Sequence, residues 1–139
     1  MGLLPRLAQG FDLPPWRTPD EIVRAEGATL ERALDAGSEA TALLVAEDEV
    51  GTPGGFIYLE RNVDYFRNAP QAHVSILAVA AAAEGRGAGR ALLAAAEEWA
   101  RKQGMSMLTL NVFDGNARAR RVYERVGFAP ETLRYVKRL

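Results

Sequence analysis

Apolar residues in the first third of the chain recur at the spacing of helices. A helix is predicted to start at Thr18, because Pro19 suits the first helical position and Glu21, three residues after the threonine, completes a capping box. Gly37 is expected to end this helix. A shorter helix is predicted before it from apolar residues three or four positions apart, which are Leu3, Leu4, Leu7 and Phe11.

Apolar runs of strand length follow these helices. The runs from Thr41 to Ala46 and from Gly55 to Leu59 predict two strands joined as a hairpin. The polar segment from Arg61 to Pro70 is predicted to be a loop. Tyr65 and Phe66 within it are expected either to contact a substrate or to cover an edge of the core, and the sequence leaves both open.

The second half of the chain alternates between strand and helix patterns. Three strands and two helices are predicted there: strands at Val74 to Val79, Met105 to Phe113 and Thr132 to Lys137, and helices ending near Gln103 and Gly127. This alternation predicts an α/β (α+β) protein with a sheet flanked by helices. At 139 residues the chain is expected to form one domain, residues 1 to 139.

Composition and charge exclude several classes of function. The 17 basic and 18 acidic residues leave a formal net charge of −1, so no global field would attract nucleic acid or an anionic membrane. Without cysteine, the chain has no disulfide, thiolate metal site or cysteine nucleophile. The lone histidine, His73, argues against a metal site, and its neighbour Ser75 does not by itself indicate a serine hydrolase. No apolar stretch is long enough to span a bilayer, and a cytoplasmic location is expected.

The chemistry is concentrated in the stretch from Val79 to Arg90, which reads V-A-A-A-A-E-G-R-G-A-G-R. It joins a strand to a helix through three glycines, so backbone amides can converge on an anion at the helix N-terminus. A Walker A loop is excluded, since Gly-Lys-Ser/Thr is missing. A dinucleotide-binding fingerprint is disfavoured because its third glycine would fall on Arg90. An ordinary strand-to-helix turn remains open at this point.

This loop resembles the acyl-CoA pyrophosphate loop of the GCN5-related N-acetyltransferases, Arg/Gln-x-x-Gly-x-Gly/Ala. Gly87 and Gly89 fill the glycine positions. Glu84 stands where that pattern prefers Arg or Gln, and a carboxylate there would repel a pyrophosphate unless it points away.

A second motif lies downstream in the order of the same family. Asn116-Ala117-Arg118-Ala119, followed by Tyr123 and Gly127-Phe128, resembles the signature Asn-x-x-Ala-x-x-x-Tyr-x-x-x-Gly-Phe. The resemblance implies the acyl-CoA N-acyltransferase fold of the family, a mixed and mostly antiparallel sheet whose fourth and fifth strands are parallel and splay apart. The family's first strand is not evident, so the chain either lacks it or was shortened at its start.

The resemblance also implies the cofactor and its contacts. Acetyl-CoA is expected between the splayed strands, with coenzyme A as product. The residues expected to contact it are Leu77, Ala78, Val79, Glu84, Gly85, Arg86, Gly87, Ala88, Gly89, Arg90, Asn116, Ala119 and Tyr123.

By the same resemblance, Tyr123 is the expected general acid, and Glu60 and His73 are the candidates for the general base. The implied function is direct transfer of an acetyl group to a primary amine of a small molecule, peptide or protein. The alternative is a non-catalytic acyl-CoA-binding sensor or interaction module on the same fold. The acceptor is not identified by the sequence, and a homodimer is a reasonable expectation for the family.

Overall fold

The N-terminal segment forms a short 3-10 helix and then a long α-helix. The computed structural model describes residues 2–37 and 40–139. The 3-10 helix spans Leu4–Ala8 and helix α1 spans Pro19–Ala36. The predicted capping box is confirmed, because the Glu21 amide donates to Thr18 Oγ1 at 3.2 Å and the Thr18 amide donates to Glu21 Oε2 at 3.0 Å.

A four-stranded mixed sheet forms the centre of the fold, in the order β1-β2-β3-β4. The strands are β1 (Thr41–Glu47), β2 (Pro53–Asp64), β3 (Ala69–Val79) and β4 (Leu108–Leu110). The first three strands pair antiparallel, and β4 pairs parallel to β3. The predicted fold class, a mixed and mostly antiparallel sheet with helices around it, is therefore confirmed.

The segment from Arg61 to Pro70 is not the predicted loop but a strand hairpin. Strand β2 continues to Asp64 and β3 begins at Ala69. Asp64 closes the turn, because its Oδ1 accepts the Phe66 amide at 3.0 Å and its Oδ2 accepts Arg67 Nε at 2.8 Å. The side chains of Tyr65 and Phe66 are 90% and 76% exposed, so neither covers an edge of the core.

Two further strand predictions are wrong in extent or in kind. The strand predicted from Met105 to Phe113 is reduced to β4, because only three residues pair with β3. The segment from Thr132 to Lys137 has no regular secondary structure although its residues alternate. Its apolar side chains Leu133 and Tyr135 are 76% and 87% exposed, so the alternation meets no buried surface.

Helices cover both faces of the sheet. Helix α1 and the 3-10 helix pack on one face, in a cluster of Leu4, Leu30, Phe56, Tyr58, Ile76 and Ala78. Helix α2 (Ala88–Lys102) and helix α3 (Ala117–Arg125) pack on the other face. The buried residues of the apolar layer on this second face are Ile57, Leu59, Val74, Leu92, Leu93 and Ala96. Strands β2 and β3 therefore lie between two apolar layers.

Candidate active site and cofactor cleft

The parallel pair β3 and β4 separates part of the way along β3. Pairing runs from Ala72 opposite Leu108 to Val74 opposite Leu110 and stops there. Strand β3 continues to Val79 along β2, so its last five residues have no partner in β4. A register shift in the β2–β3 pairing at Ser75 accompanies the separation. The expected opening therefore lies beside Leu77, Ala78 and Val79.

The glycine loop, Gly85 to Arg90, leads from the end of this opening into α2. Gly85 and Gly87 have φ angles of 77° and 86°, in the left-handed region that favours glycine. Within residues 2–37 and 40–139, no acceptor is found for five amides of the loop and the first turn of α2, which are those of Gly85, Gly87, Ala88, Gly89 and Arg90.

These amides and the positive end of α2 fit a phosphate group, and the first turn of α2 carries no acidic residue. Arg86 and Arg90 add positive charge on exposed side chains. The loop could therefore hold an anion through its backbone amides, and its assignment to the pyrophosphate of acetyl-CoA stays a prediction.

Glu84 does not stand alone beside the loop. Its Oε1 lies 3.1 Å from Arg6 Nη2 and 2.9 Å from Arg118 Nη1. Arg6 also donates from Nε to the Val79 carbonyl oxygen at 3.0 Å. Two guanidinium groups thus offset the carboxylate that would otherwise repel an anion. Arg6 was not among the predicted site residues, because nothing local in the sequence connects it to a loop 78 positions away.

Asn116 and Ala119 stabilise the start of α3 on the other side of the opening. Asn116 Oδ1 accepts the Ala119 amide at 3.2 Å, so the side chain is the N-cap of the helix. This contact occupies the oxygen and leaves the side-chain NH₂ group of Asn116 as a donor. The two predicted residues are therefore brought together by the helix cap.

Tyr123 projects from α3 into the apolar layer beneath the sheet. Its ring meets Phe128 edge to face, with 5.9 Å between the ring centroids. Burial raises the pKa of the Tyr123 phenol, so the hydroxyl keeps its proton at neutral pH. In the part of the chain that the structure describes, this hydroxyl has no hydrogen-bond partner.

The two candidate bases are neighbours on the α1 side of the sheet. Glu60 and His73 are directly opposite in the β2–β3 pairing. The Glu60 carboxylate accepts a short hydrogen bond from Ser75 Oγ and a longer one from the Tyr58 hydroxyl at 3.4 Å. We refer to Tyr58, Glu60, His73 and Ser75 as the polar cluster. Sequence reasoning missed Tyr58, and the signal that could have found it is its spacing of two residues from Glu60 on one strand face.

The electrostatics of the polar cluster favour a neutral histidine. Burial lowers the pKa of His73, and the nearby Glu60 only partly opposes this. His73 Nδ1 lies 2.7 Å from Thr109 Oγ1 on β4. Burial, and to a lesser extent the charge of Glu60, raises the pKa of Glu26 on α1. Glu26 is therefore a second carboxyl group close to the cluster.

Tyr123 and the polar cluster lie on opposite faces of the sheet, near the point at which β3 and β4 stop pairing. Tyr123 packs on the α2 side and the polar cluster is on the α1 side. Among the described residues there is no group of three potential metal-ligating side chains. In that same part of the chain, no helix is long and apolar enough to cross a membrane.

Comparison with known proteins agrees with this geometry. The model of the acetyltransferase (GNAT) family matches residues 7–128. A mycothiol acetyltransferase from Propionibacterium freudenreichii subsp. shermanii is 39% identical over 105 residues, which cover 76% of this chain and 33% of that protein. The chain thus spans about a third of the length of this curated relative.

Solved structures share the fold. An aminoglycoside N-acetyltransferase in complex with CoA is 22% identical with a TM-score of 0.66, covering 84% of this chain and 88% of that one. A ribosomal-protein-alanine N-acetyltransferase from Brucella melitensis biovar Abortus 2308 is 23% identical with a TM-score of 0.67, covering 99% and 89%. At these identities the likeness supports the fold alone.

Proposed function

Because the chain belongs to the acetyltransferase (GNAT) family, whose cofactor is acetyl-CoA, we propose that it transfers an acetyl group directly to a primary amine of a small molecule or peptide. The observation that supports this most is the set of unpaired amides at the start of α2, beside an opening in the sheet. Acetyl-CoA supplies the activated acetyl thioester.

The chain's own residues divide the work of holding the cofactor. The glycine loop would receive the pyrophosphate on its amides, since these donors are fixed in place before the ligand arrives. The backbone of Leu77 to Val79 would lie along the opening, where β4 leaves it unpaired. The NH₂ group of Asn116 would donate from the α3 side.

Proton transfer would be divided between the two faces of the sheet. An amine must lose a proton before it can attack, and the departing thiolate must gain one. Tyr123 is the proposed acid, because it fills the tyrosine position of the second motif and a phenol carries a proton at neutral pH. Glu60 is the proposed base, because Ser75 and Tyr58 orient its carboxylate. His73, which is half-buried and neutral, is the alternative base.

The test is an assay of CoA thiol release from acetyl-CoA with a panel of amines. The names of the relatives suggest including an aminoglycoside, a simple amino sugar and a peptide with a free N-terminus. Tyr123→Phe should lower kcat by about 10²-fold or more, a larger effect than any loss of CoA affinity, and unchanged turnover would remove Tyr123 from this role. Tyr135→Phe is the matched control, since Tyr135 is 87% exposed.

The base is identified by comparing Glu60→Gln with His73→Gln in the same assay. A loss of about 10²-fold in kcat for Glu60→Gln, with a smaller loss for His73→Gln, is the expected result. The reverse order would assign the base to His73. Tight CoA binding without turnover of any amine would instead favour the non-catalytic acyl-CoA-binding module.

A further inference from the structure

Three charged side chains join the two sides of the cofactor opening. Glu84 lies after β3, Arg118 lies in the first turn of α3, which follows β4, and Arg6 comes from the N-terminal 3-10 helix. Both arginines contact the same carboxylate oxygen, Glu84 Oε1, at 3.1 Å and 2.9 Å. We call these three residues the arginine–glutamate triad.

Arg6 is the fixed member of the triad. It donates to the Val79 carbonyl oxygen at 3.0 Å and to Gln9 Oε1 at 2.8 Å, in addition to its contact with Glu84. Its side chain is only 22% exposed. Because all three of its nitrogen atoms have partners, Arg6 holds the Glu84 carboxylate at the end of β3.

Arg118 is the available member. Its side chain is 59% exposed and is held at Nη1 alone. The remaining two nitrogens of its guanidinium group have no acceptor within residues 2–37 and 40–139. Glu84 thus orders a long side chain and leaves two donor nitrogens unused. Such ordering in advance of binding reduces the entropy that a ligand must overcome.

The charge of the triad is suited to an anion. Two arginines contact one carboxylate, so the group as a whole remains positive. It adjoins the glycine loop, because Glu84 directly precedes Gly85. A guanidinium with two free nitrogens matches the geometry of a phosphate group, which accepts paired hydrogen bonds.

We propose that Arg118 is a phosphate-binding residue of the acetyl-CoA site and that Glu84 is its positioning residue. This rests on the proposed function, since it assumes the cofactor at the glycine loop. The free nitrogens of Arg118 donate to a phosphate oxygen of coenzyme A, and Glu84, itself held by Arg6, keeps Arg118 turned toward the loop. The acid at position 84 therefore strengthens the binding of an anion.

The experiment is calorimetric titration of the intact chain with coenzyme A. Arg118→Gln should weaken binding about tenfold, the loss expected for a charge-assisted hydrogen bond. The coenzyme A affinity of Arg118→Lys should lie between those of Arg118→Gln and the unmodified chain, because lysine keeps the charge but not the paired donor nitrogens of the guanidinium group. Arg101→Gln is the control for net charge, since Arg101 lies in the last turn of α2, at the far end of that helix from the loop.

The direction in which Glu84→Gln changes the affinity for coenzyme A decides whether Glu84 assists or opposes binding. This substitution removes a negative charge from an anion site and is nevertheless expected to weaken coenzyme A binding about threefold or more. The double variant Glu84→Gln/Arg118→Gln should bind no worse than Arg118→Gln alone within about twofold, because Glu84 acts through Arg118. If the losses of coenzyme A affinity in the two single variants instead add up in the double variant, Glu84 has a merely structural role that is independent of Arg118. That result would overturn the positioning assignment.

Dephospho-CoA identifies the phosphate concerned. If Arg118→Gln weakens coenzyme A and dephospho-CoA alike, Arg118 contacts the pyrophosphate. If it weakens coenzyme A alone, Arg118 contacts the 3′-phosphate. Either result supports a phosphate-binding Arg118.

The outcomes that overturn the proposal separate it from the proposed function. Tighter binding by Glu84→Gln would show that Glu84 competes with the phosphates, and equal binding by Arg118→Gln and Arg101→Gln would remove Arg118 from the site. Both would leave the acetyl-CoA site in place. Failure of the unmodified chain to bind coenzyme A would overturn the proposed function as well.

Discussion

Replacing Gly87 by aspartate should remove most of the affinity for coenzyme A while leaving the chain folded. A Cβ atom at this position would have no neighbour within 4 Å, so the change creates no clash. The φ angle of 86° costs a residue with a side chain about 1 to 2 kcal/mol, and aspartate tolerates this region better than most residues. The fold is therefore expected to survive.

The loss of affinity comes from charge. A carboxylate about 5 Å from a phosphate charge, at an effective dielectric constant between about 20 and 80, is repelled by about 1 to 3 kcal/mol. This corresponds to about 5- to 150-fold weaker binding. Displacement of the amides of Gly87 to Arg90 would add to the loss.

The chain supplies a closely matched control in Gly51. Its φ angle is 84°, its Cβ position is also open, and it lies in the turn between β1 and β2. Gly51→Asp should therefore lower the free energy of unfolding by a similar amount without weakening coenzyme A binding. Urea denaturation and calorimetric titration of both variants give the two quantities. Equal affinities for Gly87→Asp and Gly51→Asp would refute the assignment of the glycine loop.

Three other variants and one control variant test the packing and the electrostatics. Leu93→Ala should lower the free energy of unfolding by about 2 to 5 kcal/mol in urea denaturation, because Leu93 is 1% exposed. Leu133→Ala is its control and should change this free energy by less than about 0.5 kcal/mol, because Leu133 is 76% exposed. Gly55→Ala should cost about 1 to 3 kcal/mol by thermal unfolding, since a Cβ atom would lie 2.7 Å from the Ala78 carbonyl oxygen. Burial lowers the pKa of His73, so the stability that neutral His73 contributes is present above about pH 6.5 and is lost as the pH falls through its folded-state pKa. His73→Gln should therefore flatten the profile of unfolding free energy against pH in this range. An unchanged profile would contradict this prediction.

The features that the sequence predicted well depend on neighbouring residues. The start of α1 is determined by Thr18 and Glu21, three positions apart, and both ends of that contact are visible in the letters. The glycine loop is equally local, because positive φ angles favour glycine at Gly85 and Gly87. Such elements form wherever the short-range contacts are satisfied, so pattern alone was sufficient.

The features that it predicted badly depend on partners far along the chain. Strand β2 extends to Asp64 because β3 offers hydrogen bonds along its whole length. The residues at the end of β2 are mostly polar, so their pattern in the sequence does not indicate a strand. The segment from Thr132 to Lys137 shows the opposite case, since it has the pattern of a strand but pairs with no described strand.

The candidate site divides in the same way. Gly87 and Tyr123 could be found from motifs, whereas Arg6 could not, because it approaches Glu84 only after the N-terminal segment has packed against β3. The neighbouring positions of Glu60 and His73 likewise follow from the register of two strands and not from their separation in sequence.

The register shift at Ser75 links the two halves of the site through one extra residue. It occurs directly after Val74, the last residue of β3 that pairs with β4, and it turns the Ser75 hydroxyl toward Glu60. A strand without this irregularity would continue the alternation unbroken. Deleting Ser75 is therefore expected to alter both the hydrogen bond to Glu60 and the point at which β3 separates from β4, so one change at this position affects both halves of the proposed site.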